Sequence, residues 1–185
     1  PQEVIVFREG LFEQKARVRV HPDGSFLSVE VVRLGRSASG EKLGKGCWRS
    51  DLEISRQFNE RTDYEFVDRL ELSTETLISN HGLANRAVFG SLVWIGPLFF
   101  PKSNLDELVQ LGLDERVGLE GLMSCSALSN GLSARYIGNS TQEARYWFFR
   151  IWSHIRKQRK FHSPSNVRIW PIQENPFSET MRNKQ

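Results

Sequence analysis

A chain of 185 residues with 39% apolar and 25% charged residues is long enough to bury a substantial core and has the balance of a folded globular protein, not that of a low-complexity or disordered one. No apolar run approaches the roughly 20 residues of a helical membrane span, and the longest candidate, Leu92 to Pro101, is broken by Gly96 and Pro97. The net charge of +3 is unevenly spread: Arg145 to Arg168 holds seven basic residues and no acidic one, which leaves the remainder at about −4.

The chain opens on Pro1 without an initiator methionine, so an N-terminal truncation is expected, and its two cysteines without CxxC spacing lead to the expectation of a reducing, cytoplasmic setting. From Lys15 to His21 charged and apolar residues alternate, and Leu27, Val29 and Val31 resume the period of two after Pro22-Asp23-Gly24. This pattern predicts two half-buried strands joined as a hairpin. The segment Leu34 to Glu41, followed by Gly46, then breaks the rhythm with glycines and small residues while keeping Arg36 and Glu41. Glycines admit backbone angles closed to other residues, so a tight bend is predicted, with Arg36 and Glu41 either as an ion pair fixing it or as part of a polar site.

Beyond the bend, Trp48, Leu52 and Ile54 share one face of a strand and Arg49, Asp51 and Glu53 the other. Tyr64, Phe66, Leu70 and Leu72 repeat the pattern, with Asp68 in phase with the apolar side. An inward carboxylate needs partners or water, which makes Asp68 a structural acceptor or, close to Arg36 or Glu41, a site residue. Ala87 to Ile95 reads as a further strand, and Leu119 to Ala127 with Leu132 to Ile137 as a last pair around Asn130-Gly131. Two helices are predicted. One is short, Asn104 to Leu111, capped by Asn104 and stopped at Gly112. The other is amphipathic, opened by a Ser140 and Glu143 capping box, with Ala144, Trp147, Phe148, Ile151, Trp152 and Ile155 on one face. Val167 to Trp170 could add a short strand, and residues 175–185 read as a disordered tail after a single β-rich domain over 1–174.

Chemistry-bearing motifs are sparse. Cys47 and Cys125 lack CxxC spacing and read as free buried thiols, which suits a reducing compartment. His21, His81, His154 and His162 have no metal-ligand spacing, Ser124-Cys125-Ser126 has no base nearby in sequence, and no P-loop, Rossmann or nucleophile-elbow motif occurs. The basic end of the second helix reads as a solvated helix terminus or a protein-docking surface through Arg145, Arg156 and Lys157. A nucleic-acid patch over Arg145 to Lys160 is the weaker reading, because its tryptophans keep helical phase with the core.

Taken in order, several of these stretches resemble the urease accessory protein family UreD, also called UreH. Pro1 to Phe7 resembles that family's PQxxIxF-like strand, Leu34 to Glu41 its GRxAxGE-like element with Gly46 as the nearby glycine, and Phe66 to Leu70 its short strand with an acidic residue before arginine and leucine. Ala134 to Gly138 and Val167 to Trp170 are similar to its RxLG and PRxW endings, with Val167 where the family has proline. The resemblance covers the C-terminal two-thirds of a typical member.

It implies a mainly β fold with β-helix-like layering of antiparallel and mixed strands, a short helix and one C-terminal amphipathic helix. It also implies a non-enzymatic scaffold that bridges urease apoprotein to UreF and UreG, with nickel in transit and no stably bound cofactor, which the absence of a histidine or cysteine cage in the sequence fits. In that setting Arg36, Glu41 and Asp68 would line or brace a polar passage. Two other classes compete: a β-structured hydrolase using Glu41 and Asp68 as paired acids, and a nucleic-acid-binding module.

Overall fold

The computed structural model describes residues 3–36, 39–58, 61–162 and 164. The predicted strand over Val167 to Trp170 and the tail over 175–185 lie outside them. Among the described residues, eight strands and three helices follow in the order β1 (Glu3–Val6), β2 (Leu11–Val20), β3 (Phe26–Leu34), β4 (Cys47–Phe58), β5 (Arg61–Ser73), α1 (Thr74–Ile78), β6 (Val88–Ile95), α2 (Lys102–Asp114), β7 (Leu122–Leu128), β8 (Gly131–Gly138) and α3 (Thr141–Gln158). A five-stranded sheet runs β1-β3-β6-β8-β7 and a three-stranded sheet β2-β4-β5.

The first four strands alternate between the sheets and pair in parallel with the strand two removed in sequence, β1 with β3 and β2 with β4. That is coil-like winding, the β-helix-like layering expected, and it gives way to antiparallel pairing from β5 onward. It also corrects the expected hairpin. Pro22-Asp23-Gly24 does reverse the chain, with Gly24 N bonded to His21 O at 2.9 Å, but β2 and β3 leave it for different sheets. A hairpin would have paired β3 with β2 in one sheet; instead β3 lies between β1 and β6 in the five-stranded sheet.

Leu27, Val29 and Val31 of β3 join Val88, Leu92 and Trp94 of β6 and Leu132, Ala134 and Tyr136 of β8 under the helices. The opposite face looks toward the three-stranded sheet. There β4 behaves as predicted, with Trp48, Leu52 and Ile54 buried. In β5, Phe66, Leu70 and Leu72 face inward but Tyr64 is 66% exposed. The register against β4 shifts between Ile54 and Ser55, so that Glu65 is bulged out of the pairing and turns inward in Tyr64's place.

The helices cover the outer face of the five-stranded sheet. The predicted inward residues of α3 pack as expected, with Trp152 only partly buried, and Ser140 caps the helix by accepting from Glu143 N at 3.2 Å. The capping box is only half made, because the Glu143 carboxylate instead takes the Tyr136 hydroxyl at 2.9 Å. The α2 expectation needs correction at both ends. Asn104 lies inside the first turn behind Pro101, and the helix runs through Gly112 to Asp114. Gly112 serves close approach here: Trp147 Nε1 of α3 donates to its carbonyl at 2.7 Å, and an added Cβ would stand 3.1 Å from Cys125 Sγ. The five-residue α1, capped by Ser73, was not foreseen. No described helix is long and apolar enough to cross a membrane.

Candidate functional site: a polar belt between the sheets

Alternation decides what faces what. Even-numbered residues of β2, β3, β4 and, from Phe66 on, β5, and odd-numbered residues of β6 and β8, look into the space between the sheets. Apolar side chains fill both ends of that space, around Val32, Trp48, Leu72 and Phe89 at one end and Val20, Ile54, Val93 and Ile95 at the other. Between the two clusters each strand contributes a polar residue: Gln14 from β2, Glu30 from β3, Ser50 from β4, Asp68 from β5, Ser91 from β6 and Arg135 from β8. Register aligns them, since Glu30 pairs with Ser91, Ser91 with Arg135 and Gln14 with Ser50.

Hydrogen bonds tie the belt across the sheets. Gln14 Nε2 donates to Ser50 Oγ at 3.1 Å and to Glu30 Oε1, and Ser50 Oγ donates to Glu30 Oε2 at 3.3 Å. Arg135 donates through Nη2 to Asp68 Oδ2, with its guanidinium 5.5 Å over the Phe89 ring. Its buried Nη1 has no hydrogen-bond partner among the described residues, an unmet donor in a region where such groups are costly. Burial pushes the Glu30 carboxyl above its ordinary value; Ser50 and Gln14 pull it back, and Asp68 adds to the rise while Arg135 opposes it.

Asp68 therefore faces inward as predicted, but its ion pair is with Arg135 and not with Arg36 or Glu41. Those two do come together. Arg36 Nε donates to Glu41 Oε2 at 2.9 Å, and the other oxygen of Glu41 accepts Arg8 N at 2.9 Å. The Arg36 guanidinium also lies 5.1 Å over the Phe7 ring. Gly35 makes the bend possible with φ 78°, where a Cβ would meet Glu41 O at 2.6 Å. The hydrogen bonds from Arg36, and then from Arg8, hold the Glu41 carboxyl below its ordinary value. The pair thus stitches the β1–β2 turn to the β3–β4 bend, and Glu41 borders a depression of about 310 Å³ lined also by Lys42, Thr74, Ile78 and Asn85.

The predicted docking cations differ among themselves. The Arg145 side chain is 12% exposed and lies 3.7 Å from Glu3, bracing α3 against β1. Arg156 lies over Trp152 and Phe161, with Nε donating to His162 O at 2.7 Å, and Lys157 is exposed. Cys47 and Cys125 are free thiols. Among the described residues, no three or more His, Cys, Asp and Glu side chains stand together as a metal-holding group. Sequence reasoning missed Glu30, Gln14, Ser50 and Arg135 as a set. The signal was present in Glu30 and Ser50, which keep phase with Val32 and Leu34 and with Trp48 and Leu52, just as Asp68 keeps phase with Phe66 and Leu70.

A sequence model described as UreD urease accessory protein matches residues 1–171. The chain belongs to the UreD family. A urease accessory protein UreD of Prochlorococcus marinus (strain NATL2A) is 56% identical over 176 residues, 95% of this chain and 57% of the relative. One of Synechococcus sp. (strain CC9311) is 48% identical over 96% of this chain and 60% of its own length, and one of Parasynechococcus marenigrum (strain WH8102) is 46% identical over 96% and 57%. The chain thus spans less than two-thirds of the UreD proteins it matches.

Proposed function

We propose that this UreD-family chain is part of a non-catalytic cytoplasmic scaffold in urease maturation, bridging urease apoprotein to UreF and UreG during nickel insertion, and that the polar belt is the part of it that meets nickel in transit. The belt carries the reading. A layer of Gln, Ser, Glu, Asp and Arg crossing a β-sandwich between two apolar clusters stabilises the fold less well than aliphatic packing would, so its presence calls for a role. A hydrated divalent cation moves past isolated carboxylates that attract it without enclosing it, whereas a closed ligand set would retain it. Glu30 and Asp68 supply two such carboxylates, and Arg135 tempers their charge. Arg36 and Glu41 brace the bend against the β1–β2 turn.

The paired-acid hydrolase is less well supported. Both oxygens of Glu41 are taken by Arg36 and Arg8, and its lowered pKa suits a permanent anion, not a general acid. Co-purification of the full-length protein with UreF tests the scaffold. Asp68→Ala and Glu41→Ala, made separately, test the passage: each is expected to reduce urease activation, and wild-type activation by both at normal protein levels would overturn that role.

A further inference from the structure

β7 ends one side of the five-stranded sheet, and among the described residues no strand pairs with its far side. Edge strands are ordinarily guarded by shortness, charge, proline or a bulge, because their unpaired backbone groups attract other strands. β1 is four residues long, β2 carries Glu13, Lys15, Arg17 and Arg19, and β5 is charged along its length and bulged at Glu65. β7 has none of these guards. From Gly121 to Ala134 the chain holds no charged residue and no proline, and β7 pairs with β8 without a break in register. Arg116 reaches the edge from the preceding loop, where its Nη1 donates to Met123 O at 3.3 Å.

The turn decides which backbone groups the edge offers. Ser129 and Asn130 join β7 to β8, and Leu128 stands opposite Gly131. The closing pair of a two-residue hairpin is hydrogen-bonded, so the even-numbered residues of β7 direct N–H and C=O to β8 and the odd-numbered ones direct theirs outward. The bond from Arg116 to Met123 O agrees with that parity. The free groups are therefore those of Met123, Cys125 and Ala127. On the side of β7 that the three-stranded sheet leaves uncovered, Leu122 is 55% exposed and Ser124 and Ser126 are exposed as well.

The strand is also nearly a palindrome: Leu122-Met123-Ser124-Cys125-Ser126-Ala127-Leu128. We propose that β7 pairs antiparallel with β7 of a second copy of this chain, about a two-fold axis at Cys125, and so joins two five-stranded sheets into one. In this register Met123 meets the partner's Ala127 and Cys125 meets the partner's Cys125, so that every outward N–H and C=O finds a partner. Leu122 stands opposite the partner's Leu128, and Ser124 opposite the partner's Ser126. These are the close, non-hydrogen-bonded pairs, with apolar set on apolar and hydroxyl on hydroxyl. A register two residues off in either direction sets a leucine against a serine. Self-complementarity of this kind is what a closed two-fold interface requires and what an unrelated strand has no need of. The inference stands apart from the scaffold reading.

The test is sedimentation velocity of the purified full-length protein across a roughly hundredfold range of concentration, over which mass action drives monomer to dimer. The wild type is expected to double in mass as concentration rises. Ser126→Lys puts a charge on the exposed face of the edge and is expected to stay monomeric throughout, with an unchanged circular dichroism spectrum. Cross-linking checks the register. A Ser124→Cys chain mixed with a Ser126→Cys chain, both carrying Cys47→Ser, is expected on mild oxidation to give severalfold more disulfide-linked dimer than either chain alone, because these two positions face each other across the axis while each lies diagonal to its own copy. A wild type that stays monomeric at every concentration, as it would if another part of its own chain covered β7, would overturn the proposal. So would a dimer that survives Ser126→Lys, or cross-linking no greater in the mixture than in the separate chains.

Discussion

Glu30 shows how burial moves the chemistry of a single side chain. Its pKa is raised by burial, so the folded state holds the proton more tightly than the unfolded chain, whose carboxyl has a value near 4.5. Below that value both states are protonated and Glu30 brings no penalty. As pH rises through the folded-state value the protein must either strip or retain a proton at a cost, and stability falls to a lower plateau. Glu30→Gln keeps the shape and the bond accepted from Gln14, reverses the bond with Ser50 so that the new amide donates to its hydroxyl, and removes the titration. The expected outcome is a variant that melts higher than wild type at pH 7 and matches it below about pH 4.5, read by thermal denaturation across pH. Glu41 has the opposite sign: its lowered pKa stabilises the fold at neutral pH, and that contribution is lost as acidification passes through the folded-state value.

At the scale of elements, α3 is the best case of legibility. Its 3-and-4 spacing and serine cap gave its start and its buried face, because amphipathic packing against one sheet obeys a single period. What spacing could not show was the destination of Glu143, since the cap and the Tyr136 hydroxyl compete for the same carboxylate and only the fold decides between them. Glu143→Ala and Tyr136→Phe are accordingly expected to be coupled in a double-mutant cycle by about 1 kcal/mol. Ser140→Ala is expected to cost a similar amount, about 1 kcal/mol, independently of either. Strand pairing was less legible for a definite reason. A turn such as Pro22-Asp23-Gly24 fixes a reversal but not the sheet that each arm joins, and the parallel partners of β2 and β3 lie a full coil away in sequence. The bulge at Glu65 was likewise silent, because one extra residue inverts the alternation without changing composition. Of the site, Asp68 and the Arg36–Glu41 pair were readable as in-phase or glycine-bounded charges. Glu30 was hidden because β3 is covered on both faces, so that its polar residues were mistaken for its wet side.

Over the whole molecule, the belt sets stability against role in a way that can be separated. Removing one member leaves its partner stranded: Asp68→Ala would strand Arg135, which already has one unpartnered nitrogen, and is expected to lower stability by about 2–4 kcal/mol. Replacing the group together has a different consequence. Glu30→Met, Asp68→Leu and Arg135→Met in one chain would remove the charges between the two apolar clusters while leaving Gln14 bonded to Ser50, and such exchanges of buried charges for packed apolar side chains leave stability unchanged or raise it by about 1–4 kcal/mol. Were the belt only a structural brace, that triple variant would support urease activation as well as wild type. If the belt conducts a divalent cation, the variant should melt at or above the wild-type temperature, still co-purify with UreF and fail to raise urease activity in cells supplied with nickel. Stability, partner binding and activation are three independent measurements, and only a polar interior with a transport role predicts that the third is lost while the first two are kept.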